Sequence, residues 1–309
     1  MMIWKKLGLV YEPDGSFPWA MTHAMIPTPV RLTDQVIRVF VTFCDDKGIG
    51  RPGYVDVSAQ DPLNVLGISH QPLLELGKPG TFDENGLLTC GVTDLGDGRM
   101  YMYYVGFELG TQIRYRLLTG LAISQDGGNT FNRYKQTPVL ERSSAELYFR
   151  GGPYCVYEPP IFRLWYVAGS QWVSLNGKLM PIYDIRYAES DDGINWPDEG
   201  AVQIPITKVD EHGFGRPCVI RKAIGGFRMF YSVRSISLGS YRLGYAESVD
   251  GRNWKRMDEK MNLDVTPDSF DSHAIMYAAP IEICGKLYVF YNGNDFGRAG
   301  FAVALLEVE

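Results

Sequence analysis

The feature that most constrains this chain is a register kept five times. A small residue followed by an aliphatic recurs at Thr28-Pro29-Val30, Cys90-Gly91-Val92, Tyr154-Cys155-Val156, Pro217-Cys218-Val219 and Ala279-Pro280-Ile281. The last residues of these segments, at 30, 92, 156, 219 and 281, are spaced by 62, 64, 63 and 62. Self-similarity at a fixed period marks a fold made by repeating one supersecondary unit. In every period an aromatic, alternating stretch follows, as in Arg99-Met100-Tyr101-Met102-Tyr103-Tyr104 and Phe227-Arg228-Met229-Phe230-Tyr231. Period-two alternation of this kind marks a strand packed on both faces. A further strand runs into Ser190-Asp191-Asp192-Gly193-Ile194-Asn195-Trp196, its near-copy Ser248-Val249-Asp250-Gly251-Arg252-Asn253-Trp254, and the looser Ser124-Gln125-Asp126-Gly127-Gly128-Asn129-Thr130-Phe131. Asp-Gly is a strong hairpin signal, so Asp126, Asp192 and Asp250 are expected to be peripheral turn residues.

Four antiparallel strands per period predict an all-β fold, a five-bladed propeller of four-stranded blades. The last period ends after its third strand, Gly300 to Glu309, and Trp4-Lys5-Lys6-Leu7 matches Trp254-Lys255-Arg256-Met257. The N-terminal strand, about residues 1–10, is therefore expected to complete blade five and close the ring within a single domain, 1–309. With 34 Gly, 18 Pro and 19 Tyr, the composition also leans toward strands and turns. A net charge of −6 argues against nucleic acid or an anionic membrane as partner. There is no long apolar run for membrane insertion and no signal-peptide pattern, so the chain is expected to be cytoplasmic. Cys44, Cys90, Cys155, Cys218 and Cys284 show neither CxxC nor metal spacing and read as reduced thiols, mostly in the core.

With Asp-Gly-x-x-Trp turns and Tyr-rich second strands, the chain resembles along its whole length the propeller glycoside hydrolases of families 43, 32, 62 and 130 and their uncharacterised relatives. Ser124 to Phe131 also resembles the sialidase Asp-box, although sialidases have six blades. The resemblance implies a carbohydrate-active enzyme that cleaves a glycosidic bond. In the related hydrolases a base or nucleophile Asp stands on blade one, a supporting Asp on blade two and an acid Glu on blade three. This chain has His23 where the blade-one Asp is expected and lacks Asn-Asp-Pro. Fold alone does not assign a reaction.

Candidate site residues lie just before each inner strand, where the loops of a propeller form one mouth. Carboxylates recur 8 to 10 positions before the reference aliphatic: Asp83 and Glu84, Glu146, Glu211 and Asp271. Glycoside cleavage needs a carboxylic acid and usually a facing carboxylate. Asp83, Glu84, Glu211 and Asp271 are therefore the expected catalytic set, each position also suiting a turn or a solvated loop, while the Glu146 loop reads as surface. The expected substrate-binding residues are Trp19, His23, Arg150, Arg216, Arg234, His273, Tyr277 and Asn292, with Trp172, Tyr148 and Phe107 as further aromatic platforms. The arginines suit either salt bridges between blades or an anionic or phosphorylated sugar. Phosphorolysis or glycosyl transfer in intracellular glycan assembly, and a non-catalytic glycan-binding propeller, stand as alternatives to hydrolysis. No Walker loop, dinucleotide motif, HExxH, GxSxG or metal-ligand spacing is present, and no cofactor is expected.

Overall fold

Branched and aromatic residues in alternation, punctuated by Gly-bearing turns, give strands for nearly all of the computed structural model, which describes residues 1–175 and 177–309. After the N-terminal strand β1 (Ile3–Tyr11) come β2 (Thr22–Arg31), β3 (Val36–Cys44), β4 (Gly50–Ser58) and β5 (Val65–Ile68), paired in that order as a first antiparallel unit. A second unit holds β6 (Leu87–Asp94), β7 (Met100–Leu109), β8 (Tyr115–Ser124) and β9 (Asn132–Arg133). The third holds β10 (Phe149–Glu158), β11 (Ile161–Leu175), β12 (Lys178–Ser190) and β13 (Ala201–Ile204). The fourth holds β14 (Glu211–Arg221), β15 (Phe227–Ser235), β16 (Tyr241–Ser248) and β17 (Trp254–Arg256). In the last, β18 (Met276–Ile283), β19 (Lys286–Asn292) and β20 (Phe301–Val308) are completed by β1, which pairs antiparallel with β20. Short parallel contacts, β8 with β10 and β12 with β14, join the second, third and fourth units into one twelve-stranded sheet, and no sheet closes on itself among the described residues. No helix among the described residues is long and apolar enough to cross a membrane.

The Asp-Gly turns dock neighbouring units. Asp192 Oδ1 accepts the Ile194 and Asn195 backbone N–H groups, and Ser190 Oγ accepts that of Gly193. Although partial burial works the other way, these donors hold the Asp192 carboxyl down at about 2. The Gly carbonyls of the turns then accept hydrogen bonds from the preceding unit: Gly128 from Arg38, Gly193 from Tyr103 and Gly251 from Trp165. The aromatic residue after each turn packs edge-on against the same neighbouring strand. The pairs are Phe131 with Phe40, Trp196 with Tyr103, and Trp254 with Trp165, at 5.9, 6.2 and 6.3 Å. Trp4 meets Phe230 at 6.3 Å, so the N-terminal strand plays the same part as β17. One detail differs from expectation: Trp196 lies in the loop before β13 rather than in the outer strand itself.

Candidate functional site

The carboxylates expected to catalyse are each occupied within their own unit. Asp83 has no exposed surface; its Oδ2 pairs with Arg133 Nε at 2.8 Å and accepts the Tyr104 hydroxyl at 3.0 Å. Asp271, equally buried, pairs with Lys6 Nζ at 2.5 Å and lies 3.4 Å from the Tyr291 hydroxyl. Glu211 forms a two-pronged ion pair with Arg256, whose Nε also donates to Asp258, which in turn accepts the Tyr231 hydroxyl. Glu146, expected at the surface, is instead fully buried; Tyr166, Arg186 and the Gly200 N–H donate to it, and Arg150 Nε lies 2.6 Å away. Glu84 is exposed and only closes its own loop, accepting the Gly80 N–H. No hydrogen bond or ion pair joins any two of the expected catalytic residues among the described residues. In this arrangement Asp83 and Asp271 have no surface with which to touch a substrate, and their repetition is that of a fastener between loop, second strand and outer strand.

The first unit explains itself by the same logic. Val41 stands opposite Gly53 in the register where Tyr104 stands opposite Gly120 and Tyr231 opposite Gly244. The ring covering Gly53 belongs to Phe43, against which Trp19 packs edge-on at 5.3 Å. A ring without a hydroxyl calls for no acid, and none stands 8 to 10 residues before Val30, where Ala20, Met21 and Thr22 lie. We expect Asp83→Asn, which strips the countercharge from Arg133, to cost about 2–4 kcal/mol by chemical denaturation, and Glu84→Gln less than about 0.5. Equal, small effects from both would remove the fastening role.

Three residues expected to bind substrate are structural. Arg150 is buried and held by Glu146 and the carbonyls of Glu141 and Pro197. Asn292 is buried; its side chain accepts the Ile26 N–H and donates to the carbonyls of Ala24 and Gly300, tying the last unit to the first. Arg216 is 2% exposed and faces no carboxylate. Nη1 donates to Thr28 Oγ1 and the Cys90 carbonyl, Nη2 to those of Pro27 and Tyr277, so one side chain ties three other units to its own. Gly152 of the third unit packs on its backbone. Neither expected reading of Arg216, inter-blade salt bridge or anion receptor, describes this contact.

What remains at the end where the inner strands begin is an aromatic crown around Arg234. Arg234 is half-buried at the end of β15 and makes no ion pair among the described residues. Its Nη1 donates to Tyr183 Oη at a long 3.5 Å, and the Tyr115 hydroxyl also lies within reach of the guanidinium. Its guanidinium carbon lies 5.5 Å over the Tyr241 ring, and the hydroxyls of Tyr183 and Tyr241 meet at 3.0 Å. Tyr241 contacts Tyr277 at 5.9 Å; Phe149 contacts Tyr183 at 5.6 Å, and Tyr115 contacts Trp172 at 5.6 Å and Phe149 at 5.8 Å. Burial, reinforced by neighbouring phenols, pushes the Tyr241 and Tyr277 hydroxyls up, so both are donors at neutral pH. His212 is buried; desolvation lowers its pKa despite the Pro181 carbonyl, to which Nδ1–H donates. The buried indole N–H of Trp172 has no partner among the described residues.

Backbone strain gathers at the same end. Of the eight non-glycine residues with positive φ among the described residues, His23, Ile26, Tyr277, Asp295 and Phe296 belong to the loops and strand starts there. Such conformations cost energy and concentrate at functional sites. His23 itself is half-buried, its Nδ1 2.8 Å from Thr22 Oγ1, while His273 is exposed. Trp19 lines a groove of about 400 Å³ with Asp45, Asp46, Arg51 and Glu75. Strand position alone puts Arg234, His212, Tyr277, Trp172 and His23 at this end, but it misses Tyr115, Tyr183 and Tyr241. The available signal is a tyrosine that opens the third strands β8 and β16 and one midway along the third strand β12. Asp184, the residue after Tyr183 on β12, points to the other face of the strand and pairs with Arg186 at 2.9 Å; burial raises its carboxyl against that pull. No group of three or more His, Cys, Asp or Glu among the described residues is disposed to hold a metal.

Comparison with known proteins places the chain. No family model matches it. The uncharacterized protein MT1551 of Mycobacterium tuberculosis (strain CDC 1551 / Oshkosh) is 31% identical over 306 residues, covering 99% of this chain and 100% of its own. Rv1502 of the H37Rv strain is 30% identical with the same coverage. The chain belongs to the MT1551/Rv1502 family. Solved structures extend the likeness to fold. The chain superposes on a glycoside hydrolase with TM-score 0.74 at 19% identity, over 98% of this chain and 92% of that one. For a thermostable family-43 glycoside hydrolase the values are 0.68, 14%, 97% and 96%. For a structure from the family-130 mannoside phosphorylases and hydrolases they are 0.70, 16%, 98% and 93%. This member of the MT1551/Rv1502 family therefore shares the fold of the propeller glycoside hydrolases, as the resemblance in sequence implied.

Proposed function

We propose that this member of the MT1551/Rv1502 family is a five-bladed propeller, its ring completed by β1, and a glycosidase-like enzyme acting on an oligosaccharide that carries an anionic sugar. The observation behind this reading is Arg234: a half-buried guanidinium without a carboxylate, walled by aromatic rings. Stacked rings suit the apolar faces of sugars, and an unpaired cation suits a negative group on one of them. Carbohydrate as the substrate class is supported by the shared fold and by a further neighbour, an RGII complex with TM-score 0.72 at 18% identity.

A second reading, glycan binding without cleavage, is favoured by the ion pairs that occupy Asp83, Glu211 and Asp271. The test is turnover across a panel of neutral, uronate-bearing and phosphorylated oligosaccharides, with and without inorganic phosphate. The enzyme reading expects product release from an anionic member, reduced at least about tenfold in Arg234→Met, which removes the charge that would hold the anion. Binding with no turnover of any member would establish the second reading instead.

A further inference from the structure

We infer that the anion accepted beside Arg234 is a sugar carboxylate, a uronate with a single negative charge, rather than a phosphate. The inference deepens the proposed function and rests on it. Charge is the first argument. The guanidinium faces Tyr183, Tyr241, Tyr115, Tyr277 and His212 and has no carboxylate within ion-pair distance among the described residues. Burial holds the Tyr115, Tyr241 and Tyr277 hydroxyls protonated and His212 neutral. The site therefore offers one positive charge. A second guanidinium, Arg114, lies 5.7 Å over the Tyr115 ring but is exposed, where solvent screens it. One cation balances one carboxylate, whereas a phosphate dianion would leave a negative charge uncompensated among half-buried aromatic groups.

Geometry is the second argument. Nη1 reaches Tyr183 at a long 3.5 Å and the Tyr115 hydroxyl also approaches the guanidinium, so its edge holds neutral phenols and no charged partner among the described residues. That edge matches the two oxygens of a carboxylate side-on. The third argument is the uncommitted Trp172 indole N–H, a buried donor with no acceptor among the described residues. A ring oxygen or hydroxyl next to a uronate carboxylate would satisfy it, and the partly exposed ring of Tyr115 beside it offers a stacking face.

The experiment titrates the full-length protein with methyl β-glucuronide, methyl β-galacturonide, methyl β-glucoside and glucose 6-phosphate, read by tryptophan fluorescence and ligand-observed NMR. At least one uronide is expected to bind about tenfold or more tighter than both the neutral glucoside and glucose 6-phosphate. Arg234→Met should abolish that preference, Arg234→Lys should weaken it several-fold because an ammonium lacks the fork, and Trp172→Phe should weaken uronide binding about threefold. Circular dichroism checks that each variant is folded; the ligand ranking by the unaltered protein stands independently of them. Glucose 6-phosphate binding as tightly as the better uronide, or a uronide preference that survives Arg234→Met, would overturn the inference. Equal binding of glucoside and uronides would overturn it while leaving carbohydrate recognition standing. Binding of the neutral and anionic members of a longer oligosaccharide panel failing as well would overturn the carbohydrate reading along with it.

Discussion

Arg216→Met is expected to lower the stability of the folded protein by on the order of 3 kcal/mol. Methionine fills a similar length of apolar space but donates nothing, so the carbonyls of Pro27, Cys90 and Tyr277 lose their donors. Each buried acceptor left unpaired costs about 1–3 kcal/mol. Relief of the buried guanidinium's own desolvation offsets part of that sum. The attachment is central because it joins segments as far apart in sequence as Pro27 and Tyr277 through one side chain of β14. The urea midpoint measures the effect, with Arg216→Lys expected to fall between the two, since an ammonium reaches fewer of these oxygens. A midpoint for the methionine variant within error of the parent would show that the guanidinium is not what holds these segments together.

Removal of residues 1–11 is expected to have the largest effect, abolishing cooperative unfolding. The deletion strips β20 of its antiparallel partner and takes Met2 and Trp4 from the core. It also takes away Lys6, the one ion-pair partner of Asp271 among the described residues. A fully buried carboxylate left without its cation costs about 3–5 kcal/mol by itself, against a total stability of roughly 5–15 kcal/mol. The uncovered β20 edge is also a template for pairing with other chains, so aggregation should accompany the loss. Addition of a synthetic peptide of residues 1–12 should restore a cooperative transition. A truncated chain that melts as the full one does would rule out β1 as an integral strand of the last unit.

The repeat and its turns were legible because both rest on local chemistry. Period-two alternation specifies a strand wherever it occurs, and Asp-Gly specifies a hairpin from neighbouring backbone preferences. Even the N-terminal strand was readable, since Trp4 carries the residue type that Trp254 carries and makes the same kind of edge-on contact. The candidate site was less legible for an instructive reason. Asp83, Glu146, Glu211 and Asp271 recur at one position in the period, and recurrence was read as convergence on a shared cavity. A position repeated in the second to fifth units is instead held by what those units need, here a charge that fastens a loop to its own strands. The Arg234 cluster breaks the repeat: its guanidinium stands near Tyr115 and Tyr183, which come from two other units.

The amino-acid sequence by itself determined the all-β class, the order of strands within each unit and the place of the N-terminal strand, because strand alternation and turn chemistry act over a few residues. Only the tertiary structure decided which charges are already occupied. Asp83 finds Arg133 at a separation of 50 residues and Asp271 finds Lys6 at 265. Whether a buried charge is a fastener or a free receptor depends on such distant partners and on burial, and neither is written in the residues beside it.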